Sequence, residues 1–219
     1  MVIFEEYFEW SGHRRLRKPE EKNEAEVGVT ELILASQSPR RRQLLQDAGY
    51  EFEIRVPSDD AETEPHCGEL PRDLVARQGR QKAENVAKTV SHGIVIGCDT
   101  VADCDSQVLG KPKDRAHAEQ MLRQLQGREH FVHSGLCLWQ CPGDDVFLAT
   151  ETTKLFMREL TDVELEEYLD SELWVGKAGA FGYQDRTGWL KIVEGSESNV
   201  VGLPMELLTK ALAGMMERE

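Results

Sequence analysis

No segment of the 219-residue chain is apolar for long enough to span a bilayer, and no apolar core follows its N-terminus as a secretory leader requires. The first thirty residues also hold too many glutamates for a transit peptide, so the cytoplasm is the expected compartment. Cysteine is sparse. Cys67, Cys98, Cys104, Cys137 and Cys141 include no C-x-x-C pair, which argues against a disulfide framework and a structural zinc site. Cys137 and Cys141 read as reduced bystanders. Positive charge is in deficit, with 26 Lys and Arg against 40 Asp and Glu and a net charge of −14, so the broad basic surface that a nucleic-acid polymer needs is missing. There is no internal repeat and no low-complexity tract.

What remains is a chain with 40% hydrophobic residues, enough for one sizeable core. One domain is expected over residues 31–219. Residues 1–30, with Phe4, Tyr7, Phe8 and Trp10 followed by a mixed-charge run, are expected to be a flexible extension.

The chain is organised around residues 32–45. Leu32 to Ala35 form a short apolar run with the character of a buried strand, closed by Ser36 and Ser38. Pro39 suits the first turn of a helix, Leu44, Leu45 and Ala48 give that helix an apolar face, and Gly49 ends it. Arg40, Arg41 and Arg42 therefore lie at a helix N-terminus, where unsatisfied N–H groups, the helix dipole and guanidinium forks favour an anion. A basic surface helix or a Ser-Pro phosphorylation site accounts for the same stretch equally well when it is taken alone.

Further along, Glu51 to Val56 alternates as a second strand, and Pro57 to Pro65 is a loop dense in carboxylates, either a solvated acidic loop or a source of metal ligands. Pro71 opens a helix in which Lys82, among polar neighbours, reads as surface. Ile94 to Cys98 is a buried strand expected to end at Asp99-Thr100, the place where open α/β sheets put catalytic groups and where turn aspartates are also common. A hairpin turning at Asp103 to Ser106 follows. Leu109-Gly110-Lys111-Pro112 is no Walker loop, because Asp105 stands at the first glycine position and Pro112 at the Ser/Thr position; Lys111 remains a point charge for phosphate. Asp114 caps a helix over Met121, Leu122 and Leu125, and Glu129–Trp139 and Asp145–Met157 make an antiparallel pair. His130 and His133 fall on opposite faces and are not expected to share a metal. Thr161 to Glu164 is a capping box, residues 176–184 are a glycine-rich loop, Gly188–Glu194 is a strand, and a final helix carries Met205, Leu208, Leu212 and Met215 inward.

Five motifs occur in register: Ala-Ser-x-Ser-Pro-Arg-Arg, Ile-Gly-x-Asp-Thr-Val, Leu-Gly-Lys-Pro, Lys-Ala-Gly-Ala-Phe-Gly-Tyr-Gln and Asn-Val-Val-Gly-Leu-Pro. Together they closely resemble the Maf family of nucleoside triphosphate pyrophosphatases, from residue 32 to about residue 213. The resemblance implies a two-lobed α/β fold with a mixed, elongated sheet, akin to inosine triphosphate pyrophosphatases, with a triphosphate cleft between the lobes. It implies hydrolysis of a nucleoside triphosphate to monophosphate and pyrophosphate with a divalent cation, Mg2+ or Mn2+, by a homodimer. By the same resemblance Asp99 is the proton acceptor, Lys82 and Lys111 add positive charge, and Ser36, Arg40 and Arg41 hold phosphate. Arg40, Thr100 and Gln184 set the base, in the pattern of the branch acting on dTTP and UTP, and the Gln184 amide can donate to and accept from a pyrimidine edge.

Two departures stand out. The family glutamate after the second strand is represented by Glu62, with Asp60 as the alternative, so the expected metal ligands are Glu62 and Asp99; and Gly176 replaces the usual aspartate of Asp-Lys-Ala-Gly. The competing readings are a nucleotide-binding regulator of cell division with weak catalysis, the same reaction on 7-methyl-GTP, and a phosphatase releasing orthophosphate.

Overall fold

The computed structural model describes residues 31–217, so the extension expected over residues 1–30 lies outside the described residues. The apolar run forms β1 (Leu32–Ala35), and Ser38 caps α1 (Pro39–Asp47), its hydroxyl accepting from the Arg41 amide. The second strand is shorter than its alternation predicts, only β2 (Glu53–Ile54). There follow α2 (Pro71–Ala87), β3 (Gly93–Cys104), β4 (Gln107–Leu109) and α3 (Arg115–Leu125). The second half holds β5 (Arg128–Cys141), β6 (Val146–Met157), α4 (Asp162–Asp170), two 3-10 turns (Ala178–Ala180 and Tyr183–Asp185), β7 (Leu190–Glu194), α5 (Glu197–Val201) and α6 (Met205–Met216). Asp114 and the Thr161/Glu164 capping box start α3 and α4 as their sequences predict.

The seven strands make one mixed sheet in the order β2-β1-β3-β5-β6-β7, with β4 added to β3. β1 runs parallel to β2 and β3, while β3, β5, β6 and β7 are mutually antiparallel neighbours. β3 differs from expectation in not stopping at Asp99-Thr100. It stays paired with β5 as far as Asp103↔Phe131, so Asp99 is mid-strand. A run of apolar residues marks burial, but only the partner strand decides where the ladder ends. Along its other edge β3 pairs with β1 through Gly97 and with β4 from Ala102 onward. Cys98 to Val101 therefore face a gap in the sheet.

The apolar side chains divide at this gap. Leu34, Leu45, Ile96, Leu136, Leu208 and Leu212 pack α1 and α6 against the first half of β3, and Ala102, Leu122, Leu155, Leu165 and Trp189 pack α3 and α4 against the second. The α1 stripe is narrower than its sequence implies, since Leu45 is buried but Ala48 is exposed.

On the opposite face α2 lies directly on the sheet. A Cβ built at Gly97 would strike the Gly79 carbonyl, one at Gly79 the Gly135 carbonyl, and one at Gly135 the Val75 backbone. Three glycines thus let helix backbone meet strand backbone. Gly135→Ala should destabilise the fold by about 3 kcal/mol, the upper range for overpacking, and should lower activity in the protein that remains folded; urea denaturation and turnover measure the two effects.

His130 is fully buried and packs edge-on against Phe181 at 5.3 Å. Burial lowers its imidazole from 6.5 to about 4. The unfolded chain therefore binds a proton that the folded chain resists, and the stability present above pH 6.5 is lost as pH falls toward about 4, by about 3 kcal/mol in total. His130→Leu should flatten that part of the stability–pH curve in urea titrations; an unchanged acid slope would exclude His130 as its source.

Candidate active site

The gap in the sheet opens into a cleft of about 730 Å³, lined by the β1–α1 turn, α2, the middle of β3, the loop after β4, the 176–184 loop and the segment before α6. Successive residues of β3 alternate between faces, so Asp99 turns toward α2 while Thr100 turns toward α1 and α5. Both line the same cleft because no strand closes the edge between them.

On the α2 side Lys82 is not a surface residue. The close approach through Gly79 places it one turn further along the helix, over β3, where Nζ lies 2.6 Å from Asp99 Oδ1 and 3.1 Å from Glu62 Oε1. Lys82 and Asp99 side chains are each only 12% exposed, whereas Glu62 is 42% exposed. Among the described residues nothing hydrogen-bonds Asp99 Oδ2.

The acidic loop is held by Arg77 of α2. Its guanidinium makes a bidentate pair with Glu69 (2.7 Å to each oxygen) and also reaches the Thr63 hydroxyl and the Glu64 carbonyl. That pairing draws the Glu69 carboxyl down to about 2. Asn85 adds a bond to Ser58. Asp60, the alternative to Glu62, is exposed and does not line the cleft.

On the other side the β1–α1 turn forms a cup. Ser36 Oγ accepts from the Ser38 amide (3.1 Å) and from Arg41 Nη1 (3.2 Å), so its own proton remains to be donated. Arg41 is nine-tenths buried and also donates from Nε to the Gly202 carbonyl (2.7 Å) and from Nη2 to Thr100 Oγ1 (3.2 Å). Gly202 takes φ +126°, which a side chain would resist, and its carbonyl also lies 3.2 Å from the Thr100 hydroxyl. Asn199 pins this segment by donating to the Val132 carbonyl and the Thr153 hydroxyl. Arg40 is half-buried and bonds the Gly176 carbonyl at 3.0 Å. Burial and the adjacent Arg41 lower its guanidinium, while Asp185 opposes them. Lys111 and Gln184 are exposed at the rim of the cleft.

All eight expected side chains other than Glu62 and Glu62 itself thus border one cavity. Sequence reasoning left Arg77, Asn199, Gly202 and the Lys177–Asp185 pair without roles. The Asn-Val-Val-Gly motif and the glycine-rich loop marked two of these places, but no pattern in α2 separates Arg77 from the other polar residues of the helix.

Glu62 and Asp99 are the donors that could hold a hard divalent cation. Glu62 and Asp99 converge on a single lysine ammonium, yet the described residues contain no group of three or more His, Cys, Asp or Glu able to hold a metal. Mg2+ is commonly held by one or two carboxylates with the rest of its shell from water and substrate phosphates, and the site fits that mode.

Residues 31–215 match the model of the family described as Maf-like protein. The chain is 51% identical over 182 residues to a dTTP/UTP pyrophosphatase of Rhodopirellula baltica, covering 83% of this chain and 80% of that protein. It is 40% identical to proteins of the same name from Geotalea uraniireducens (84% of this chain, 94% of that one) and Pelotomaculum thermopropionicum (84% and 96%). Among solved structures, a HAM1 protein from Coxiella burnetii aligns with 84% of this chain and 99% of its own at 14% identity and a TM-score of 0.45. With the family model covering nearly all the described residues and identities of 40–51% to the three relatives named, the chain belongs to the Maf-like family.

Proposed function

We propose that the chain hydrolyses nucleoside triphosphates to the monophosphate and pyrophosphate, with dTTP and UTP as substrates, and that it works in the cytoplasm as a homodimer with Mg2+ or Mn2+. The observation that carries this reading is one cleft in which an aspartate, gripped by a buried lysine, faces a helix-N-terminal serine–arginine cup. The relatives' names support the substrates. In keeping with this, no helix of the described residues is long and apolar enough to cross a membrane.

In this mechanism Asp99 takes a proton from the attacking water through its open oxygen. The new bond forms at the α-phosphorus, and the bond to the bridging oxygen breaks as pyrophosphate leaves. Lys82 holds the Asp99 carboxylate in place by its charged hydrogen bond. The Ser36 hydroxyl, the Arg40 amide in the first turn of α1 and the Arg41 guanidinium face the phosphate oxygens and offset their negative charge. Lys111, unpaired among the described residues, adds a mobile charge from the rim. A divalent ion held by Glu62 and Asp99 would supply Lewis-acid charge and a more acidic water. Arg40, Thr100 and Gln184 select the nucleotide, Gln184 through an amide that can both donate to and accept from a pyrimidine edge.

Asp99→Asn should lower kcat by about 10²–10⁴-fold, the range for a general base, while nucleotide affinity stays within a few fold in calorimetry. Loss of binding by a folded variant would give Asp99 a different role. Arg77→Gln should free the loop that carries Glu62, raising the metal concentration for half-maximal activity by about 10-fold, as loss of a ligand-supporting contact does. Faster proteolysis within residues 57–69 should accompany it.

A further inference from the structure

The Lys177–Asp185 ion pair, of which Lys177 lines the cleft, has none of the roles assigned above. Lys177 Nζ is 2.5 Å from both Asp185 oxygens, and the two side chains are 10% and 6% exposed. Tyr168, from α4, donates its hydroxyl to Asp185 Oδ2 at 2.8 Å. Burial and the neighbouring carboxylate raise the Tyr168 phenol, so it stays a donor. Asp185 is thus held from two elements, and the pair joins the two ends of the segment between residues 177 and 185.

That segment touches three of the groups that surround the substrate. Gly176, the residue just before it, accepts from Arg40 at its carbonyl. The Gly179 amide donates to the Gly110 carbonyl at 3.0 Å, tying it to the backbone beside Lys111. Gln184 is part of it, and the Gln184 amide lies over Gly182 together with the ion pair: a Cβ at Gly182 would come within 2.7 Å of Lys177 Nζ, 2.8 Å of Asp185 Oδ2 and 3.0 Å of Gln184 Nε2. None of these contacts reaches Asp99, Lys82 or Glu62, which belong to α2, β3 and the acidic loop.

We propose that the buried Lys177–Asp185 pair, completed by the Tyr168 hydroxyl, is the positioning element for base selection, holding the 176–185 loop so that Gln184 and Arg40 present one fixed surface to the nucleotide base. The inference rests on the proposed pyrophosphatase reaction for its activity readout but not for its structural one. Lys177 and Asp185 are positioning residues: they act through Gln184, Arg40 and the Lys111 loop. Removing one partner alone strands a buried charge and threatens the fold, so the informative variant removes both.

The test compares wild type with Lys177→Met/Asp185→Asn and with Tyr168→Phe, after circular dichroism shows each folded. Turnover of UTP and GTP gives the ratio of kcat/KM, and hydrogen exchange follows the amides of residues 176–185 against those of α6. In the double variant the UTP:GTP preference should fall at least 10-fold, mainly through KM for UTP, and the Gly179 amide should exchange at least 10-fold faster while α6 is unchanged. Tyr168→Phe should give a smaller change in the same direction. A uniform drop in rate with the UTP:GTP ratio intact, or loop protection unaltered in the double variant, overturns the inference. If wild type turns over no triphosphate, it is the proposed reaction that fails, and hydrogen exchange alone still decides whether the pair fixes the loop.

Discussion

The site depends on a helix being allowed to touch a strand. Gly79, Gly97 and Gly135 remove the side chains that would hold α2 away from β3 and β5, and the resulting backbone contact carries Lys82 to within 2.6 Å of Asp99. A buried pair of this kind adds little net stability, because desolvating both charges offsets most of their attraction, while stranding either charge costs about 3–5 kcal/mol. Its worth lies in geometry. It fixes one carboxylate oxygen and leaves the other facing the cleft.

The second constraint is the gap along the edge of β3. β3 pairs with β1 only as far as Gly97 and with β4 only from Ala102, so Asp99, Thr100 and Val101 between those pairings present side chains from both faces of the strand to one cavity. The two walls then differ in kind. Carboxylates and Lys82 form the α2 wall, whereas the α1 wall is a cup in which Arg41 is held by the Gly202 carbonyl, Ser36 and Thr100. Cationic groups on one side and an anionic group on the other are what separation of leaving phosphates from attacking water requires. The net charge of −14 makes the enclosed cations more telling, since they are not part of a generally basic surface.

Much of this was legible from local chemistry. Ser38, Pro39 and the leucines of α1 announce a strand, a turn and a capped helix, and those are rules of spacing and hydrogen bonding that need no partner. Lys82 was not legible as a buried residue, because its burial comes from glycines on two other elements. Asp99 reads locally as a strand end, because the pairing that carries β3 on to Asp103 is made by β5 some thirty residues away. The roles of Arg77 and Lys177 likewise arise from contacts across loops, where neither periodicity nor composition carries information. The motif register found the cleft residues, and the fold supplied the reason they meet.

The most direct measurement is hydrolysis of UTP in water enriched in oxygen-18, with the products separated and weighed. Attack at the α-phosphorus predicts one labelled oxygen in the monophosphate, unlabelled pyrophosphate, and the two products in equal amounts. Label in orthophosphate, with the diphosphate as the other product, would mean that the Asp99 side of the cleft faces the terminal phosphate and would contradict the account.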